Sequence, residues 1–469
     1  MKRPLITLAF ILISCYSFAQ SITGDWYGAL SVNGTNIPLV FHIAKNGDAY
    51  TTTFDSPDQG AHGLATDKTT VAGNQLTIEA STYKITYSGI FMPDSDKIKG
   101  TFVQGGGSLP LNLGRTKAAV PAAPIVTRPQ DPKDFPYKQE EVVFTNPKGG
   151  DQLAGTLTMP SNGKATKIVI LITGSGPQNR NEELKPFNHR PFLVWSDWLT
   201  RNGIAVLRYD DRGTAQSTGN FTTATSADFA DDAEAAVTYV QSRADLKGLS
   251  IGLMGHSEGG MIAPIVAARN KAVKFIVLLA GPGVPVTELM LKQVDDQLRL
   301  GGATPDQIQR SLAVYKKAYA EIFAHPELPA AQLEQQIDTI EARDLRTFPK
   351  EDLHGQSVDK ILKTNATLVT PWFRHFLAFN PADYLMKVKC PVLALDGTLD
   401  MQVNADANLA AIKAALQKGG NKHFKVVTMD GLNHLFQKAT TGSLPEYAQI
   451  TETVNPLALQ TVLDWINEL

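Results

Sequence analysis

Leu249-Ser250-Ile251-Gly252-Leu253-Met254 runs straight into Gly255-His256-Ser257-Glu258-Gly259-Gly260, and Met261-Ile262-Ala263-Pro264-Ile265-Val266-Ala267-Ala268-Arg269 follows. The first six residues have the length and apolarity of a buried strand, and the last nine read as a helix. Between them stands Gly-x-Ser-x-Gly. A Gly-Ser-Gly cluster alone is an ordinary turn. Here the strand entering it and the helix leaving it make a sharp corner that would hold Ser257 exposed at a helix N-terminus, where the dipole favours developing negative charge. Ala215-Gln216-Ser217-Thr218-Gly219 has similar letters but sits in a polar loop, and reads as a turn. Two Ser-x-x-Lys matches, at Ser161 and Ser357, fall in a predicted hairpin loop and a predicted helix and lack the same context.

Working outward from the corner, strands and helices alternate over residues 137–469. Apolar strand-length runs lie at 167–173, 205–209, 249–255, 275–280, 392–396 and 425–429, with amphipathic segments at 192–201, 227–242, 261–269, 405–417 and 456–466. That rhythm predicts an α/β fold with a largely parallel sheet. It is interrupted at about 284–387 by roughly four helical segments and no convincing strand, which predicts a helical cap inserted over the site.

A serine nucleophile needs a base, an orienting acid and amides for the oxyanion. His434 lies in Gly431-Leu432-Asn433-His434, just beyond the last predicted strand, where α/β sheets build their sites. His189, at a predicted helix start, is the rival. Asp396-Gly397-Thr398-Leu399-Asp400 follows the penultimate strand; Asp400 reaches toward the histidine loop, Asp396 fixes the turn, and Asp430 is too close in sequence to His434. The oxyanion amides are expected at Glu258, after the nucleophile, and at Ser175 in the small-residue loop Gly174-Ser175-Gly176-Pro177. That loop lacks the Gly-Lys-Ser/Thr completion of a phosphate cradle. Trp372, Phe373, His375 and Phe376, near the end of the insertion, are candidates for the substrate pocket; a packed contact between cap and core would explain them as well.

The rest of the 469 residues reads differently. Residues 20–115 show short alternating runs separated by Asn33-Gly34, Asn46-Gly47 and Gly73-Asn74, and no helical period. This predicts a small all-β barrel or sandwich, and Gly24-Asp25-Trp26-Tyr27-Gly28 resembles the Gly-x-Trp opening of lipocalin-like barrels. A Pro/Ala-rich stretch at 116–136 reads as an extended linker. Residues 1–19 have the form of a signal peptide: Lys2 and Arg3, then an apolar run from Leu5 to Ile13, then Ser17-Phe18-Ala19. Leu12-Ile13-Ser14-Cys15 also resembles a lipobox, whose cleavage would leave a lipid-anchored Cys15. Apolar residues at 43% and charged residues at 19% exclude a disordered chain, and a net charge of −2 offers no field for nucleic acid or an anionic membrane. Two cysteines exclude a disulfide scaffold or a cysteine-based zinc site.

Together with Thr173-Gly174-Ser175-Gly176-Pro177-Gln178, Arg208-Tyr209-Asp210-Asp211-Arg212-Gly213 and Lys389-Cys390-Pro391-Val392-Leu393, the elbow and the histidine loop make residues 137–469 resemble the serine-hydrolase branch of the α/β-hydrolase superfamily, which contains bacterial esterases and serine-aminopeptidase-like proteins. Thr173-Gly174 stands where that family usually has His-Gly. The resemblance implies the α/β-hydrolase fold, a Ser257-Asp400-His434 triad, an acyl-enzyme, and no cofactor or metal. The expectation is an exported bacterial hydrolase, periplasmic or secreted, acting on small carboxylic esters, with no nucleic-acid partner and no transmembrane span. Two alternatives stand beside it. An aminopeptidase or amidase would use the same triad and seat a substrate ammonium on cap acids such as Glu288, Asp295, Asp296 or Glu321. A ligand-binding protein would use the β domain and carry a vestigial hydrolase domain.

Overall fold

The computed structural model describes residues 21–32, 35–57, 61–104, 107–116, 128–353 and 357–469. The proposed leader at 1–19, with Cys15, and most of the proposed linker lie outside them. The chain divides into two compact units between Pro124 and Ile125.

The first unit is an antiparallel barrel. Its strands are β1 (Gly24–Val32), β2 (Thr35–Asn46), β3 (Ala49–Ser56), β4 (Ala61–Ala65), β5 (Lys68–Ala72), β6 (Gln75–Ala80), β7 (Ile85–Met92), β8 (Lys97–Gln104) and β9 (Gly107–Gly114). The order β2-β1-β9-β8-β7-β6-β5-β3 closes through a β2–β3 pairing, and β4 is added on β3. Closure removes the free edges that a sandwich would leave. Alternate residues point inward, so Trp26, Phe41, Leu76, Ile78, Tyr87, Ile98 and Leu111 are fully buried and fill the interior. Gly100 makes room for Tyr87: a Cβ there would sit 2.3 Å from the tyrosine oxygen. Two strands go beyond the sequence reading, β4 and the polar, half-exposed β5.

The second unit is a mixed sheet of eight strands: β10 (Lys138–Thr145), β11 (Gln152–Met159), β12 (Lys167–Ile172), β13 (Ala205–Tyr209), β14 (Ser250–His256), β15 (Val273–Leu279), β16 (Val392–Gly397) and β17 (Phe424–Met429). Their spatial order is β10-β11-β13-β12-β14-β15-β16-β17. Strand β11 is antiparallel to both its neighbours, β10 and β13, and neither β10 nor β11 was marked in the sequence; from β13 to β17 every pairing is parallel. The helices are α1 (Pro191–Arg201), α2 (Ser226–Ser242), α3 (Gly259–Arg269), α4 (Val286–Leu300), α5 (Pro305–Ala324), α6 (Ala330–Leu345), α7 (Val358–Leu362), α8 (Pro371–Leu377), α9 (Ala382–Leu385), α10 (Ala405–Lys418) and α11 (Pro456–Glu468).

Strand alternation sorts the two faces. Ile168, Ile170 and Ile172 of β12 pack with α2, α3 and α10, while Val169 and Leu171 pack with α1 and α11. A strand covered on both faces is apolar throughout, which is why β12 to β16 stood out in the sequence; β17, at the sheet edge, is only partly covered. Helices α4–α9 form the insertion between β15 and β16, with a small core of their own around Tyr319, Ile322, Leu333, Ile337, Phe373 and Leu377. The short helices α8 and α9 were missed by periodicity. The sheet reverses its winding at β12, whose neighbours β13 and β14 lie on opposite sides. Such a switch point opens a crevice at the carboxyl ends of the two diverging strands. Here those ends carry the Gly174 loop and Ser257.

Candidate active site

Ser257 occupies the corner between β14 and α3 with φ of +54°, a left-handed conformation that costs a non-glycine residue free energy. Its amide donates to Leu279 O at 2.9 Å, and its carbonyl accepts from Gly260 N at 2.8 Å. The flanking glycines are required by close approach. A Cβ on Gly255 would lie 2.0 Å from Gly259 O, and one on Gly259 would lie 2.2 Å from Ile172 O, backbone atoms that cannot yield. Gly259→Ala is therefore expected to cost about 3 kcal/mol or more, read as a lowered denaturant midpoint. Gly174 packs against the same corner: its Cβ would meet Ser257 Cβ at 3.2 Å.

His434 lies in the loop after β17, and its Nδ1 is 2.6 Å from Asp400 Oδ2. Both side chains are almost completely buried, 4% exposed for the histidine and 0% for the aspartate. The other Asp400 oxygen accepts from the amides of Gln402 (2.7 Å) and Val403 (2.8 Å). Burial alone would raise this carboxyl; the charge and hydrogen bond of His434, with the Val403 amide, hold it below the ordinary aspartate value. Asp396 behaves oppositely. It is fully buried, with Oδ1 accepting from its neighbour Gly397 N at 2.7 Å. Burial and the adjacent Asp400 charge push it well above the usual aspartate range. Asp430 is exposed, near Thr398. His189 is remote from these acids: its Nε2 donates to Thr453 O at 2.9 Å, and burial pulls its pKa down to about 3.

Glu258, the residue after the nucleophile, is 2% exposed. Its Oε1 accepts from Ser226 Oγ of α2 (2.6 Å) and from Trp372 Nε1 of α8 (2.9 Å). Burial raises this carboxyl, and the hydrogen bonds of Ser226, Trp372 and Ser175 counter it. The insertion is thus bonded to the elbow itself, a contact the sequence could not show. Trp372→Phe removes the indole donor and leaves a buried acceptor short of a partner. The expected cost is about 1–3 kcal/mol, measured as a fall in the unfolding midpoint.

The four aromatic pocket candidates divide. Trp372 stacks on Phe376, with ring centroids 4.8 Å apart, and both pack at the elbow side. Phe373, one residue further around the helix, packs into the insertion's own core. His375 is half-buried and faces the α2 side, where burial lowers its pKa and Asp228 opposes that. The cap acids are engaged elsewhere: Asp295 with Arg299 (2.9 Å), Asp296 with Lys292, and Glu321 with His325 (3.5 Å), while Glu288 is exposed. Among the described residues no cluster of three or more His, Cys, Asp or Glu side chains is disposed to hold a metal ion, and no helix is long and apolar enough to cross a membrane.

Comparison with known proteins adds the family. Residues 192–343 match the family described as serine aminopeptidase, S33; the matched stretch contains Ser257 and ends before Asp400 and His434. The chain is similar to the esterase EstD of Thermotoga maritima, 24% identical over 336 residues that span 72% of this chain and 68% of the relative. Among solved structures, the esterase Pf2001 of Pyrococcus furiosus is similar at 16% identity and a TM-score of 0.43, covering 73% of this chain and 96% of that one. Est1E of Butyrivibrio proteoclasticus, with ferulic acid bound, is similar at 19% identity and a TM-score of 0.39, covering 70% and 98%. With the switch-point sheet and the strained serine corner, the second unit carries an α/β-hydrolase domain that is similar over residues 192–343 to the serine aminopeptidase, S33 family, and the protein is a hydrolase.

Proposed function

We propose that the protein hydrolyses carboxylic esters through Ser257, His434 and Asp400. The observation that carries this reading is the buried 2.6 Å contact between His434 and Asp400, on a loop whose histidine ring lies 4.8 Å from that of His256, the residue next to the serine. Asp400 holds the proton on Nδ1, leaving Nε2 as the base. His434 takes the Ser257 proton as Oγ attacks the ester carbonyl, then returns it to the departing alkoxide. Water, deprotonated by the same nitrogen, releases the acid and regenerates Ser257. The amides of Glu258 and Ser175 receive the oxyanion; Gly174 N is committed to Glu182 Oε1 at 2.8 Å, which supports assigning the next amide in the loop.

Esters are favoured over aminoacyl amides because three of the cap acids that could seat an ammonium are paired with bases on their own helices. The test is a panel of short-chain p-nitrophenyl esters against aminoacyl-p-nitroanilides. Ester kcat/KM should exceed anilide kcat/KM by at least about 100-fold; the reverse order would make the protein a peptidase. The name of the Thermotoga relative supports the ester reading. Helices α4–α9 act as a cap in this scheme. Residues 1–19 are proposed as a cleaved export signal, with lipid anchoring at Cys15 as the alternative, and the mass of the mature N-terminal peptide decides between them.

A further inference from the structure

His256 looks dispensable in the pentapeptide, because its side chain points away from the serine. It is nevertheless 7% exposed and bonded at both nitrogens. Nε2 lies 2.9 Å from the carbonyl oxygen of His434, and Nδ1 lies 2.9 Å from Glu182 Oε1. The same Glu182 oxygen accepts the amide of Gly174 at 2.8 Å. Glu182 is itself 3% exposed and held at φ of +53°, a conformation that persists only where the surroundings impose it. A continuous chain of short bonds therefore runs from the histidine loop, through His256 and Glu182, to the loop before Ser175.

We propose that His256 and Glu182 are positioning residues, forming a buried strut that fixes the His434 loop and the Gly174–Ser175 loop relative to each other beside Ser257. The catalytic part of this claim rests on the ester-hydrolase reading above. The bond directions follow from chemistry. A carbonyl only accepts, so Nε2 of His256 carries a proton. The partner of Nδ1 is a carboxylate that already accepts from Gly174, so a second proton lies between His256 and Glu182. Burial works against a charged imidazole, but the charge and hydrogen bond of Glu182, the His434 carbonyl and the charge of Asp400 outweigh it and raise His256 above the ordinary histidine value. The groups acting on the imidazole are thus Glu182, His434 and Asp400, and His189, whose own pKa burial lowers, is a further electrostatic neighbour. One proton lies on Nε2 toward the His434 carbonyl and a second between Nδ1 and Glu182 Oε1. This explains why the position before the nucleophile is histidine: a shorter or single-ended side chain could not span both partners.

Hydrogen–deuterium exchange on the full chain tests the strut without relying on activity. Glu182→Ala touches only the Gly174 side directly. The strut predicts faster exchange, by about tenfold, in both 173–178 and 431–436, and the same pair of segments in His256→Ala. Loosening of 173–178 alone in Glu182→Ala would overturn it. Glu182→Gln keeps an acceptor for Gly174 N and should fold even where the alanine variants do not; it should loosen 431–436 while sparing 173–178, and no change at 431–436 would also overturn the proposal. Kinetics separate the two claims. With both loops loosened, kcat on p-nitrophenyl acetate should fall about 100-fold, the loss typical of a misplaced oxyanion donor, with KM within about threefold. Unchanged kcat in a variant whose loops have loosened would count against the assignment of those loops to catalysis and leave the strut standing.

Discussion

Ser257→Ala should abolish ester turnover, lowering kcat by on the order of 10^4- to 10^6-fold while KM stays within a few-fold. The residual rate is what the oxyanion amides and substrate binding still supply. The substitution removes one oxygen at a half-buried position and leaves both backbone bonds of Ser257, to Leu279 and from Gly260, intact. The fold should therefore survive, and the unfolding midpoint should stay near that of the parent protein. Relief of strain is not expected, because alanine is no more at ease at φ of +54° than serine is. A variant that keeps more than about 1% of parental kcat would place the nucleophile elsewhere.

The second large effect is expected from Asp400→Asn. The asparagine oxygen can keep the amides of Gln402 and Val403, so the turn after β16 should hold. What changes is the atom facing His434. An amide NH2 in place of Oδ2 favours the tautomer with the proton on Nε2, where it cannot accept from serine. The loss in kcat should approach 10^4-fold. Asp396 does not rescue it, because its Oδ1 is held by Gly397 N and burial pushes its carboxyl well above the usual range. A reduction of less than about tenfold would mean that Asp396, not Asp400, supplies the acid. Turnover compared across both variants at constant thermal stability checks this directly.

The elbow was legible because its chemistry demands a local signature: an apolar strand, glycines where backbones touch, and an apolar helix. The positions of Asp400 and His434 were legible for a related reason, since each follows an apolar run: Val392-Leu393-Ala394-Leu395 in a strand buried on both faces, and Val426-Val427 in a partly covered edge strand. The hairpin β10–β11 was not, because its outer strand lies at the sheet edge and carries Lys138, Gln139, Glu140 and Glu141. Strand β5 was hidden likewise, as Lys68-Thr69-Thr70-Val71-Ala72 in a barrel wall that is partly exposed. The contacts that join loops to one another left no local trace. Glu182 meets a histidine 74 positions away and Trp372 meets Glu258 across 114, and neither spacing is periodic in anything. Phe373 is buried in the insertion's own core, whereas the adjacent Trp372 borders both that core and the elbow side, because one residue turns a helix by about 100° and α8 is the part of the insertion that meets the elbow. A reading by position alone treats them alike; packing distinguishes them.

The central claim is that Ser257 is an activated nucleophile facing His434. Diethyl p-nitrophenyl phosphate, followed by intact-mass measurement and peptide mapping, addresses it in one step. One phosphoryl group per chain, located on Ser257 and accumulating in proportion to lost ester turnover, is the predicted result. Full inhibition with the adduct on another residue, or an unmodified Ser257 in protein that still turns over ester after prolonged treatment, would contradict it.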